Sequence, residues 1–181
     1  GYSWSARDCS FINNMATRDA GVAYSSTWTV SNCAFEGNSS KRYGGVARSG
    51  KWNVKDSIFK NNLAGSTIPS VVGYGGVVFD VSSANTWTVT NCAFVGNRAY
   101  LSGGVANSAY IKAFNCTFAS NEAFEPFPPY GAGGGVAGGA GSLEATNCIF
   151  NSNRASKYGG VAQYGILEAK NCTFYKNTAF D

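Results

Sequence analysis

One repeated unit, Cys-x-Phe-x-x-Asn, constrains this chain more than any other feature. It recurs as Cys9-Phe11-Asn14, Cys33-Phe35-Asn38, Cys92-Phe94-Asn97, Cys116-Phe118-Asn121, Cys148-Phe150-Asn153 and Cys172-Phe174-Asn177. A seventh copy carries Ser57 in the Cys position, followed by Phe59 and Asn62. Between copies lies Gly-Gly-Val-Ala, complete at Gly44, Gly103, Gly134 and Gly159 and varied at Gly75 and Ala20. Successive Cys positions are 24, 24, 35, 24, 32 and 24 residues apart, a base period of 24 with insertions of 11 and 8. A repeat of this length is one structural unit that cannot bury its apolar face alone, so neighbouring copies must stack.

A period of 24 admits a leucine-rich repeat or a β-solenoid. The first needs a Leu-rich strand and a helical segment in each unit, and no 3.6-residue periodicity is present. Short β-branched runs separated by Gly, Asn and Ser read instead as strands and turns. The expectation is an all-β fold, a right-handed single-stranded parallel β-helix of about six coils of 24 residues filling one domain, 1–181. Three short strands are expected in each coil, typified by Thr-Trp-Thr-Val, Cys-Ala-Phe and Gly-Val-Ala. The turn after each Phe uses Asn13, Gly37, Asn61, Gly96, Ser120, Ser152 or Lys176, mostly types that tolerate left-handed backbone angles.

Alignment of the copies assigns a role to each position. Five residues before the Cys position stand Trp4, Trp28, Trp52, Trp87, Ile111, Leu143 and Leu167; two residues later come Ala6, Val30, Val54, Val89, Ala113, Ala145 and Ala169. The residue between them is mostly polar, so the period is two and both ladders should face the core. Immediately before the Cys position stand Asp8, Asn32, Asp56, Asn91, Asn115, Asn147 and Asn171. Stacked amides at such a corner can bond from coil to coil, and the Asn after Phe makes a second ladder.

Phe-x-x-Asn paired with Gly-Gly-Val-Ala resembles the polymorphic outer-membrane protein repeat, which combines Phe-x-x-Asn with a Gly-Gly-Ala-Ile-like motif. The resemblance covers nearly the whole chain and departs from that pattern in the Val-Ala ending and in the recurring Cys. It implies a pectin-lyase-like right-handed β-helix on a cell surface, as in chlamydial surface autotransporter passengers and large extracellular proteins of algae and other protists. Adhesion or scaffolding is the role it implies, with no ligand specified.

The chain has no His, which removes His-based triads and His metal sites. Net charge is +4 without a Lys/Arg run, so no nucleic-acid footprint is present. The longest uncharged apolar stretch, Val71 to Phe79, is too short to span a bilayer, and the first residues do not read as a signal peptide. Polysaccharide lyases and hydrolases on this fold need clustered carboxylates. Here Asp8 and Asp56 fall on the corner ladder and read as structural, while Glu144 and Glu168 share an outward ladder beside Lys112 and read as a solvated face. An ice-binding plane would need a regular Thr array, and Thr29 and Thr88 are interrupted by Lys, Glu and Asn. No catalytic residue, metal site or cofactor is therefore expected.

The six cysteines admit two readings. In-register coils place neighbouring Cα atoms ~4.8 Å apart, within the disulfide range, as Cys9–Cys33, Cys92–Cys116 and Cys148–Cys172. Parallel side chains and the Ser57 replacement favour the other reading, a stack of reduced thiols acting as small hydrophobes. The sequons at Asn38, Asn115 and Asn171 sit on the Asn ladders and are expected to be unmodified.

Insertions 63–74 and 122–133 should spring from one edge, two coils and ~10 Å apart. The second carries Phe124, Phe127 and Tyr130, which either stack on a sugar or dock a partner, or fold back over the flank. The functional expectation is a non-catalytic structural or adhesive module of a cell-surface, extracellular or filament protein. It would be part of a longer solenoid, with further coils or other protein subunits as partners at its ends. A carbohydrate-active or carbohydrate-binding β-helix is the alternative.

Overall fold

A computed structural model describes residues 2–66, 72–82, 84–125 and 133–180. Within them the chain forms 26 strands and no helix. The strands line up as four parallel sheets, three of seven strands and one of five. Strands such as Thr27–Ser31 and Thr86–Thr90 build a tryptophan sheet; Ala34–Glu36 and Ala93–Val95 build a phenylalanine sheet. In every sheet the spatial order follows the order of copies, which is the topology of a parallel β-helix. Seven coils are present, one more than the approximate six expected: every copy of the motif supplies a coil, whereas the steps between copies number one fewer.

Pairing keeps the aligned positions in register. Trp4 pairs with Trp28, Trp28 with Trp52, Trp52 with Trp87, Trp87 with Ile111 and Ile111 with Leu143. The coil has four strands where three were expected. The additional one is the pair of residues after the inner Asn, such as Ser39–Ser40, Leu63–Ala64 and Arg98–Ala99. The 11-residue insertion is also divided. Part enlarges the turn before Gly75, and part lies between Phe79 and Thr86, where Ser82 N–H donates to Asp80 Oδ1 at 2.9 Å. The roots of 63–74 and 122–133 are two coils apart on one edge, as expected, with Leu63 paired to Arg98 and Arg98 to Glu122.

Left-handed backbone makes the corners. All seven residues before the Cys position have φ between 50° and 54°, and the residues after Phe, from Asn13 to Lys176, have φ between 52° and 65°. Gly reaches this region freely and Asn and Asp at low cost, while Ser120, Ser152 and Lys176 are held there by the register of the coil. The second Gly of Gly-Gly-Val-Ala answers a different demand. A Cβ on Gly104 would run into the backbone of Gly135 in the next coil and of Glu122 across the interior. Backbone lies directly on backbone there, and no side chain fits.

The core is a set of columns. Phe rings from Phe11 to Phe174 stack with centroids 4.7 to 4.9 Å apart and planes within 7°. Burying each of the five inner rings, Phe35 to Phe150, contributes about 1.5–3 kcal/mol, and aromatic stacking adds about 0.5–1.5 kcal/mol. The indoles stack beside them, 4.5 Å apart for Trp52 and Trp87, both fully buried. The inward ladder therefore holds for Trp52 and Trp87. Trp28 is half-buried, and Trp4 is 57% exposed because only one of its faces meets a coil.

Candidate functional site

Most recurring polar residues hold coil to coil. The inner Asn ladder, Asn14, Asn38, Asn62, Asn97, Asn121, Asn153 and Asn177, is fully buried from Asn38 to Asn153. Asn97 is typical. Its Nδ2 donates to Phe59 O at 2.9 Å and to Asn121 Oδ1 at 3.0 Å. Its Oδ1 accepts from Asn62 N at 3.0 Å and from Asn62 Nδ2 at 2.9 Å. One side chain thus ties three coils and satisfies a backbone N–H at the bend. Asn38, one of the three sequons, lies in this buried column, where no glycan fits.

All six cysteines are free thiols. Their role differs from the expected small hydrophobe, because each sulfur sits within a polar relay. Cys116 Sγ accepts the Cys92 N–H at 3.4 Å and donates to Phe114 O at 3.2 Å. Ser57 reproduces both contacts: its hydroxyl accepts the Cys33 N–H at 3.1 Å and donates to Lys55 O at 2.7 Å. A hydroxyl replaces the thiol because both donate and accept on the scale of one short side chain. Stacking also couples the thiols. The hydrogen bond with Cys148 draws Cys116 down, but its bond to Cys92 and its burial outweigh that and push it up to about 11. The bond to Cys116, reinforced by burial, raises Cys148 strongly. The bond from Cys116 lowers Cys92. Cys116 and Cys148 are thus held protonated and sheltered rather than nucleophilic.

The corner ladder is different. Its side chains are exposed and bond to one another, Asn32 Nδ2 to Asp8 Oδ1 at 2.6 Å and Asn91 Nδ2 to Asp56 Oδ1 at 2.9 Å. Asn115 Nδ2 donates to Asn91 Oδ1 at 3.3 Å, and Asn147 Nδ2 to Asn115 Oδ1 at 3.2 Å. No such bond joins Asn32 to Asp56 among the described residues, since a carboxylate has no proton to donate. Asn171, on the seventh coil, keeps the corner backbone at φ 52°, with no such bond to Asn147 among the described residues. Beside this ladder runs a groove of about 680 Å³, reaching from Asp8 and Ser10 past Asp56 and Ile58 to Asn115 and Thr117. It arises because the Cys side chain turns inward between two outward neighbours.

The remaining expected site residues fare unevenly. Phe124 folds back on the flank, its ring 6.3 Å from Tyr100 and 5.0 Å beneath the Arg98 guanidinium. Phe127 and Tyr130 lie outside the described residues. Glu144 pairs with Lys112 at 3.0 Å on the outer face of the tryptophan sheet, and Glu168 neighbours it in the next coil. Glu122 bridges Arg98 at 2.7 Å and Arg154 at 3.7 Å. Among the described residues no group of three His, Cys, Asp or Glu side chains is placed to hold a metal ion, and no helix is long and apolar enough to cross a membrane. The groove gave no signal in the sequence, where its wall residues, such as Ser10, Ala34 and Ile58, follow no pattern. Comparison with protein-family models, curated proteins and solved structures finds no match to this chain.

Proposed function

We propose that this chain is a non-catalytic structural or adhesive β-helix module of a cell-surface, extracellular or filament protein. The observation that carries the reading is where the repeat residues are spent. Phe, inner Asn, Cys and the second Gly all face a neighbouring coil, so the repetition serves to build a rod. Outward positions beside the Phe column change from coil to coil, as Glu36, Lys60, Val95 and Asn151 do, the arrangement expected of a scaffold that displays a changing surface. The resemblance of Phe-x-x-Asn and Gly-Gly-Val-Ala to the polymorphic outer-membrane protein repeat supports the same role and the same location. Each coil presents N–H donors of one inner Asn to the Oδ1 of the next, so a further coil or a subunit written in the same code is a natural partner.

A carbohydrate-active enzyme is the second reading, favoured by Asp8 and Asp56 in one groove, two coils or ~10 Å apart. The test is incubation of the purified chain with linear polysaccharides, measuring new reducing ends and unsaturated products, alongside a binding assay on cells and extracellular matrix. Adhesion without bond cleavage is expected. Cleavage that disappears in Asp56→Asn would overturn the non-catalytic reading.

A further inference from the structure

We infer that the corner groove is a binding site for a neutral linear polysaccharide lying parallel to the rod axis. The inference rests on the adhesive reading and gives it a ligand class.

Three properties of the groove select this class. First, its polar wall is a column of three amides, Asn32, Asn91 and Asn115, and two carboxylates, one side chain per coil and ~4.8 Å apart. On the hydrogen bonds of the described residues, Asn91 uses one N–H toward Asp56 and one lone pair toward Asn115. An amide carries two N–H groups and two lone pairs, so a donor and an acceptor remain at the rung. A hydroxyl, itself donor and acceptor, answers both. The groove floor competes little, since its backbone is bonded from coil to coil, as in Ala34 N–H to Cys9 O at 2.9 Å and Ala93 N–H to Ser57 O at 3.0 Å.

Second, the opposite wall includes the apolar side chains Ala34, Ile58 and Ala93 on consecutive coils. Ile58 is 37% exposed. One polar wall and one apolar wall suit a sugar ring, whose C–H face is apolar and whose rim carries hydroxyls. Third, the two charged residues on the ladder, Asp8 and Asp56, are both acidic. They accept hydrogen bonds from hydroxyls and repel uronate or sulfate groups, which excludes acidic polysaccharides. The groove passes five coils without a blocking side chain, so the ligand is a chain rather than a single sugar.

The experiment uses the whole chain and isothermal titration with cellohexaose, xylohexaose, laminarihexaose and, as the acidic comparison, hexagalacturonate. At least one neutral hexaose should bind, its disaccharide much more weakly, and hexagalacturonate not at all. Asn91→Gly removes the amide while keeping a residue at ease at φ 53°, and Ile58→Lys fills the groove from an exposed position. Each should weaken binding at least tenfold without altering the circular dichroism spectrum, while Thr29→Ala on the tryptophan sheet leaves binding unchanged. Absence of binding by all three neutral hexaoses overturns the assignment, and the adhesive reading still stands if the chain adheres to cells or matrix. Equal affinity in Ile58→Lys, or loss of binding in Phe124→Ala instead, also overturns it.

Discussion

Asn97→Ala tests whether the inner Asn column holds the rod together. The side chain is fully buried and makes four hydrogen bonds of 2.9 to 3.0 Å. Truncation removes all four and leaves the Asn62 N–H, deep in a bend, with no acceptor. At about 1 kcal/mol per bond, with about 1–3 kcal/mol for the orphaned N–H overlapping that sum, the loss is about 3–5 kcal/mol. Against a total of about 5–15 kcal/mol for a domain, this is severe. The comparison is Asn115→Gly on the corner ladder, which breaks two exposed bonds of 3.2 and 3.3 Å and should cost under about 1 kcal/mol. Urea denaturation followed by far-ultraviolet circular dichroism and by tryptophan fluorescence measures both. All four indoles lie in the first four coils, so fluorescence reports that half alone, and non-coincident transitions in Asn97→Ala would reveal a rod split at the fourth coil. If Asn97→Ala is within about 1 kcal/mol of the parent, or no worse than Asn115→Gly, the role given to the column is wrong.

Three further outcomes are expected. Gly104→Ala should destabilise by several kcal/mol, seen as a large fall in melting temperature or loss of soluble protein, because the added methyl meets backbone of two other segments. Cys116→Ser should melt close to the parent, since Ser57 already fills the same role, whereas Cys116→Val should cost about 1–3 kcal/mol by stranding the Cys92 N–H. Stability should decline at alkaline pH. A raised thiol pKa favours the folded, protonated form, so the contribution of Cys116 is complete below the ordinary 9.0 and is lost as pH rises through about 11. Melting temperatures between pH 8 and 11 should fall less steeply in Cys116→Ser than in the parent.

The sequence exposes whatever recurs in a long enough register. Trp28, Trp52 and Trp87 alternate with polar residues over a five-residue strand, so both the strand and its inward face are legible. Phe and the left-handed turn behind it are equally plain, because Asn, Gly and Ser mark the turn. The fourth strand is not legible. Two residues such as Ser39–Ser40 have no periodicity, and an inward Ala looks like any small loop residue. The thiol relay was missed because Cys reads as apolar, although Ser57 carried the clue: a hydroxyl in a buried column needs hydrogen-bond partners. The groove was missed because it is defined by the side chain that turns away from it. A concavity left by an inward residue leaves no mark in the outward ones.

The two amide columns point in opposite directions. Along the inner column each Asn donates to the Asn of the next coil, from Asn14 up to Asn177, its other N–H turning back to a Phe carbonyl, whereas corner residues donate to the preceding coil, as Asn32 to Asp8 and Asn147 to Asn115. Amides bonded head to tail polarise one another, so a single such column would accumulate a dipole that grows with every coil. Two antiparallel columns oppose each other's fields. A rod of this construction can lengthen coil by coil with little electrostatic cost, and the breaks in the outer column among the described residues, between Asn32 and Asp56 and between Asn147 and Asn171, are where the inner column's field is left unopposed.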